Sequence, residues 1–348
     1  MKKIFLAALV AVFGCVNQVF AQTQLATLFR DGDVKTFYGI NALREAHSSA
    51  KHGDVITLSS GTFNSVDITR AITLRGAGMQ YDSIAKVEPT IIIGDFKLDI
   101  NNDSTLQGNS LTMEGIYHNY DITLRKPVYN AQFVKCRFYA IGKTATSNVL
   151  GNSLRNTTFI NCLISGKLYA EENASITCVN SYIDNPYQST SDLDKANANF
   201  EFHNCVVYMG HADYNPSHST YRNCIIRVVS GCNIQSTSVA YNCIGLNNSN
   251  MFNSMSNNSN TYVFNASSVF KTWTATSGVY NFLNENLELT DAAKTKYLGA
   301  DGTQVGIYGG SIPFTARPSN PQITKLNVAS KSTADGKLSV DIEVKAAE

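Results

Sequence analysis

The chain has 348 residues, of which 43 % are hydrophobic and only 16 % charged, and its 28 basic and 27 acidic side chains leave a net charge of +1. So even a balance argues against a nucleic-acid-binding protein, which carries a clear basic excess, and so apolar a composition argues against an acidic disordered chain. The length accommodates two or three ordinary domains or one elongated repeat array.

Met1-Lys2-Lys3 is a short basic start, Ile4 to Gly14 is an apolar run, and Val19-Phe20-Ala21 places small or aliphatic residues where a signal peptidase reads. This pattern predicts a secretory signal peptide over residues 1–21. The weaker alternative is a lipoprotein box at Val12-Phe13-Gly14-Cys15 with Cys15 lipidated, for which Phe13 is bulky. No later stretch reaches the roughly 18 apolar residues of a membrane-spanning helix. Export to the medium or the cell surface is the expected destination.

Within Gly39–Lys51, Ile40, Leu43, Ala46 and Ala50 recur at helical spacing. They predict a short amphipathic helix ending before Gly53. Such a helix can plug the open end of a repeat array, which needs capped ends.

Eight cysteines are present, and Cys15 leaves with the signal. The remaining seven fit a complete disulfide framework poorly because their number is odd. Their context is more regular than their count. Phe133-Val134-Lys135-Cys136, Phe159-Ile160-Asn161-Cys162, Phe202-His203-Asn204-Cys205 and Tyr221-Arg222-Asn223-Cys224 share one pattern, and Ala240-Tyr241-Asn242-Cys243 continues it. Cys178-Val179-Asn180-Ser181 fits with Ser181 in the cysteine place and Cys178 in the aromatic place. The marker falls at 136, 162, 181, 205, 224 and 243, in steps of 26, 19, 24, 19 and 19 residues. A near-constant period marks a solenoid. Cys162-Leu163-Ile164, Cys205-Val206-Val207 and Cys224-Ile225-Ile226 read as short strands. Asn before the cysteine suits a bend, because it tolerates left-handed backbone angles. The cysteine column reads as a ladder of small buried hydrophobes. A disulfide between neighbouring rungs is the alternative, and the lack of any Cys-x-x-Cys pair speaks against a metal.

The residues just after the marker, Leu163, Tyr182, Val206, Ile225 and Ile244, should face outward as an apolar stripe, and such a stripe is usually covered. The two long steps place insertions at about 139–156 and 184–200, polar stretches that read as loops. After Gly310, Pro313, Pro318 and Pro321 form a stiff connection. Ile323, Leu326 and Val328, a turn at Asp335-Gly336, and the alternating Leu338–Val344 predict a terminal hairpin. The hairpin, or a partner, is the expected cover for the stripe. The organisation is therefore a signal peptide (1–21), a β-helix domain (22–311) and a Pro-rich connection with hairpin tail (312–348).

These rungs resemble a right-handed parallel β-helix of the pectin-lyase-like superfamily. Gly53-Asp54-Val55-Ile56-Thr57-Leu58, Gly61-Thr62-Phe63 and Ala71–Gly78 are similar to its opening rungs. Leu287–Gly310, with Asp301-Gly302-Thr303 and Gly309-Gly310, is similar to its closing rung. The resemblance spans about residues 36–310 and implies an all-β solenoid with a long binding face. It further implies that activity, if present, is that of a polysaccharide lyase, with calcium on carboxylates and an Arg or Lys as the base. Arg125-Lys126-Pro127-Val128-Tyr129-Asn130 is the nearest match to the family's basic element, and Asn130 stands where its second Arg belongs. The closely set aspartates and Gly-His-Gly of the hydrolases are missing, and Asp192 and Asp194 read as a solvated loop pair.

His203 and Arg222 occupy one outward column on successive rungs and are the candidate catalytic residues, with His211, Asp213 and His218 in the connection between them. A His beside an Asp can act as a base. Tyr182, Tyr187, Tyr208 and Tyr214, together with His211 and Asp213, are the candidate ligand contacts, since tyrosine rings stack on sugar faces while their hydroxyls stay wet. No metal site is expected, and calcium is the only cofactor the resemblance admits. The expected function is that of an exported, non-catalytic β-helix binding a polysaccharide or a cell-surface protein through its long face. A lyase and a structural component of a surface assembly are the alternatives.

Overall fold

A computed structural model of the chain describes residues 24–345 except 102–107, 146–151, 189–197, 211–216, 229–233, 235, 247–249, 254, 256, 273–286, 318, 320–321, 329–330 and 334. The proposed signal peptide, Cys232 and the Asp192–Asp194 pair lie outside these residues. The chain coils as a parallel β-helix. One long sheet pairs Val55–Leu58, Thr73–Arg75, Thr112–Glu114, Gln132–Val134, Thr157–Ile160, Ser175–Val179, Asn199–His203, Thr220–Arg222, Val239–Tyr241 and Asn257–Ser259 in parallel, in sequence order. A second is built from Gly61–Asn64, Thr90–Ile93, Ile116–Leu124, Arg137–Thr144, Leu163–Ala170, Tyr182–Asp184, Val206–Met209, Ile225–Val228, Ile244–Leu246 and Tyr262–Phe264. No helix among the described residues is long and apolar enough to cross a membrane.

The bend between the sheets follows the repeat pattern. Lys135, Asn161, Asn180, Asn204, Asn223, Asn242 and Asn260 all have positive φ, between 46° and 54° except for Asn223 at 55°, and Gly115 takes the same place one rung earlier at 65°. Asparagine and glycine hold this left-handed conformation at low cost. Their side chains also form a ladder: Asn260 donates to Asn242 (3.0 Å), Asn242 to Asn223 (3.4 Å) and Asn223 to Asn204 (3.4 Å).

Beside the bend, Phe133, Phe159, Cys178, Phe202, Tyr221 and Ala240 stand in register as one buried column. Phe133 stacks on Phe159 at 4.8 Å and Phe202 on Tyr221 at 5.1 Å. Cys136, Cys162, Cys178, Cys205, Cys224 and Cys243 are free and buried. The thiols of Cys162, Cys205 and Cys224 lie 3.2–3.3 Å from the carbonyl oxygens of Phe133, Cys178 and Phe202 on the preceding rung. Ser181 meets Phe159 O in the same way, so the serine does stand in the cysteine place.

At the N-terminal end, Ala42–Ser49 is helical, with Ala42, Leu43 and Ala46 fully buried. It packs beside a hairpin the sequence reading did not identify, Leu25–Arg30 and Asp33–Tyr38, which joins the first sheet antiparallel at Val55–Leu58. Its signal was Asp31-Gly32, both at positive φ, a turn pair favoured in tight hairpins. Met251, Phe252 and Met255 join the core in the last rungs.

Two expectations about the C-terminal third are corrected in part. Among the described residues Leu287–Gly310 adds no strand to either long sheet, and the cover on the stripe comes from this segment together with Phe314 and Ala316 at the start of the tail. Leu163, Tyr182, Val206, Ile225 and Ile244 do face away from the coil, but they are buried in a second apolar cluster with Val269, Phe270, Leu287, Leu289, Ala293, Tyr297, Val305 and Ile307. The chain therefore leaves the last rung and returns along the outside. Tyr297 lies against Phe264 (4.7 Å), Gly306 N donates to Asn223 O (2.8 Å), and Ser319 N reaches Glu114 Oε1 (3.1 Å). A side chain at Gly306 would meet Ile225 at 2.7 Å, so this close approach requires glycine. This strap, residues 287–310, meets the stripe mainly through side chains, and among the described residues it forms no strand of either long sheet. Gln322–Val328 and Val340–Lys345 do form an antiparallel hairpin, with Leu338, Val340, Ile342 and Val344 each about half exposed.

The long steps also differ from plain loops. Arg137–Thr144 and Leu163–Ala170 continue as strands through register shifts, and Pro186–Gln188 pairs with the end of the latter. In the first long step the backbone is paired where Ile141 packs inward.

Candidate functional site

The second sheet carries an open groove on its outer face. A cavity of about 560 Å³ is lined by Asp95, Lys97, Asn119, Tyr120, Asp121 and Tyr139, with Phe96, Thr123 and Ala145. A recess of about 390 Å³ continues it past Asp95 to Asn64, Asp67, Ile93 and Arg44. Tyr120 and Tyr139 are 59 % and 48 % exposed, which is enough ring surface to offer a ligand.

Local structure explains the placement. Tyr120 and Asp121 lie in Ile116–Leu124, and Tyr139 in Arg137–Thr144. The pairing of these strands shifts between Phe138 and Ala140, and again between Ile141 and Lys143. A bulge of this kind re-aims side chains. Towards the next rungs, Tyr169 and Tyr187 are register partners whose rings meet edge to face at 5.2 Å, and Lys167 Nζ lies 4.5 Å from the Tyr187 ring centre. Burial, then the Asp121 charge and its tyrosine neighbours, push the Tyr169 phenol up to about 12. It therefore stays a neutral hydroxyl.

Lys97 pairs with Asp95 at 3.5 Å. The Ser65 hydroxyl donates to the Asp95 carbonyl and holds that turn. Asp67 is held by Arg125 (3.2 Å), and Lys126 by Asp99 (2.8 Å). Those ion pairs occupy the basic pair of the Arg125–Asn130 element. Asn130 itself is a bend residue at φ 54°, accepting from the Asn156 amide at 2.6 Å.

His203 and Arg222 are register partners, as the 19-residue step required, but they stand on the first sheet. His203 faces Glu201 (Nε2 to Oε2, 3.5 Å) and Arg222 lies over Tyr241 (4.7 Å). They share no face with the tyrosines of the second sheet. Tyr182 is buried beneath the strap, 1 % exposed, and offers no surface. Tyr208 is half-buried with the Arg227 guanidinium 5.1 Å from its ring, and Tyr187 belongs to the groove's continuation. His211, Asp213 and Tyr214 lie outside the described residues. His218 is exposed at a left-handed bend. Among the described residues no group of three or more His, Cys, Asp or Glu is placed to hold a metal ion.

Sequence reasoning missed Tyr120, Tyr139, Asp95 and Asp121. Their signal was exposed-type aromatics inside strand-like runs, out of phase with the buried column. No protein-family model, curated protein or solved structure matches this chain.

Proposed function

We propose that this is an exported or surface-associated protein that binds a polysaccharide through the outer groove of its second sheet, without cleaving it. The observation that carries this reading is the run of Tyr120, Tyr139, Tyr169 and Tyr187 along one face, interleaved with Asn119, Asp95 and Asp121. Tyrosine rings give apolar area for sugar faces, the amide both donates to and accepts from hydroxyls, and the carboxylates accept from them. An open groove along parallel rungs suits an extended chain better than a small compact ligand. The N-terminal leader supports export, and the rung pattern's resemblance to pectin-lyase-like β-helices supports a glycan ligand.

The test is equilibrium binding of the mature chain to a polymer panel, with product release monitored with and without calcium. Saturable binding without new chain ends supports the proposal, and Tyr139→Ala should weaken it about tenfold, the loss of roughly one good stacking contact. Release of oligosaccharides would make the protein an enzyme instead. Binding that survives loss of both Tyr120 and Tyr139 would move the site elsewhere.

A further inference from the structure

We infer that the groove selects a neutral, hydroxyl-rich glycan and rejects uronate polymers, with the Asp121 carboxylate as the selecting group. The inference rests on the proposed glycan-binding function and adds the class of glycan.

The argument starts from the charges that line the cavity. Among the described lining residues, Asp95 and Asp121 are the carboxylates and Lys97 is the cation. Lys97 is engaged by Asp95. In the adjoining recess, Asp67 is neutralised by Arg125, and the Arg44 guanidinium donates to the Ser65 carbonyl at 3.2 Å. Asp121 is different. Among the described residues no cation pairs with it. Lys167, which follows it two rungs along the same lane through Ala140, is drawn over the Tyr187 ring. Arg44 in the recess keeps its charge, since its partner is a neutral carbonyl, but around Asp121, between Tyr120 and Tyr139, the described residues leave a negative charge with no cation paired to it.

A carboxylate in that position can accept two hydrogen bonds from neighbouring sugar hydroxyls, and charged acceptors make the stronger bonds. A uronate at the same place would bring a second carboxylate against it, and like-charge contact is costly in a partly desolvated groove. A uronate-binding face needs the opposite arrangement, with free cations or acids clustered tightly enough to hold calcium.

The experiment measures binding of the full mature chain to laminarin, xyloglucan and galactomannan against polygalacturonate and alginate, at low and moderate salt. The expected result is binding to at least one neutral polymer, with uronates weaker by about tenfold or more at low salt. Asp121→Asn, which keeps shape and one acceptor, should narrow that ratio. Asp121→Ala should weaken neutral binding while leaving the melting temperature unchanged. Uronate binding equal to or tighter than neutral binding overturns the inference and leaves glycan binding intact. A neutral preference that neither Asp121 variant alters overturns the role of Asp121. Silence on every polymer overturns glycan binding itself, and the inference with it.

Discussion

The Asn180 side-chain amide donates to the carbonyl oxygens of both Ile307 (2.8 Å) and Gly309 (2.6 Å), 127 and 129 residues further along the chain. One bend residue thus does two things: it turns its own rung at φ 46°, and it ties down the strap that seals the apolar stripe. The two roles are separable by substitution. Asn180→Gly keeps the left-handed bend and loses both amide bonds. Asn180→Ala loses the bonds and also strains the turn. Each buried bond contributes about 1 kcal/mol, and a non-glycine residue forced left-handed adds roughly another 1 kcal/mol. We expect Asn180→Gly to destabilise by about 2 kcal/mol and Asn180→Ala by more, read by chemical denaturation. Equal losses would mean that the bend contributes nothing to the residue choice. The same seal predicts that removing 312–348, which takes away Phe314 and Ala316 but leaves Val305 and Ile307, raises dye binding less than Ile307→Asp does.

The rung pattern was legible in the sequence because a solenoid makes the same demand at every turn. Each rung needs a left-handed residue at the bend and a small inward residue after it, so Asn-Cys returns at 161–162, 204–205, 223–224 and 242–243. The adjacency of His203 and Arg222 followed from the same step. The strap was not legible, because Val305, Ile307 and Tyr297 meet residues far earlier in the chain through contacts made once, with no period to reveal them. The groove was hidden for a related reason. Tyr139 and Tyr120 sit where the register shifts, so a fixed spacing counted from the cysteines does not line them up.

The thiols should be silent in the folded protein. Burial pushes Cys162 up to about 12, and raises Cys136, Cys178, Cys224 and Cys243 as well. The thiolate is the reactive form. We expect these five to react with a thiol reagent only on unfolding, and at the unfolding rate. Because Ser181 already occupies the column, Cys205→Ser should be mild. Cys205→Leu should cost about 1–3 kcal/mol through overpacking. Labelling of Cys162 under native conditions, identified by mass spectrometry, would contradict the burial argument.

Acid should loosen the N-terminal half first. Burial lowers His47 to about 4, and lowers His118 too. His47 Nε2 accepts from Thr69 N–H (3.2 Å), and the buried His118 Nδ1 meets Ile92 O at 2.8 Å. A histidine whose folded value is depressed leaves stability intact above its unfolded value, near 6.5. Below that the unfolded chain takes up the proton more readily, and stability falls until the folded value is reached. For His47 the loss amounts to roughly 3 kcal/mol between pH 6.5 and 4. His47→Gln, whose amide oxygen can still accept from Thr69, should flatten this decline. Melting temperatures that fall equally steeply for the wild type and His47→Gln between pH 6.5 and 4.5 would rule His47 out.

Asp184 should act from the alkaline side. It lies in the second sheet opposite Tyr208, and burial pushes its carboxyl up to about 8. Its Oδ1 is enclosed with no hydrogen-bond partner among the described residues. The sign is opposite to that of an ion-paired carboxylate. The folded state keeps the proton while the unfolded chain has already lost it near pH 4, so stability falls as pH climbs from about 4 to 8. Asp184→Asn removes the titration. It should leave stability little changed at pH 4 and raise it by about 1–3 kcal/mol at pH 8.5, the range for relieving a poorly satisfied buried polar group. Together with His47 and His118, this places the stability maximum of the wild type on the mildly acid side of neutrality, with losses in both directions. Denaturation curves at pH 4, 6 and 8.5 read both slopes. A variant no more stable than the wild type at pH 8.5 would mean that Asp184 is ionised and satisfied in the folded protein.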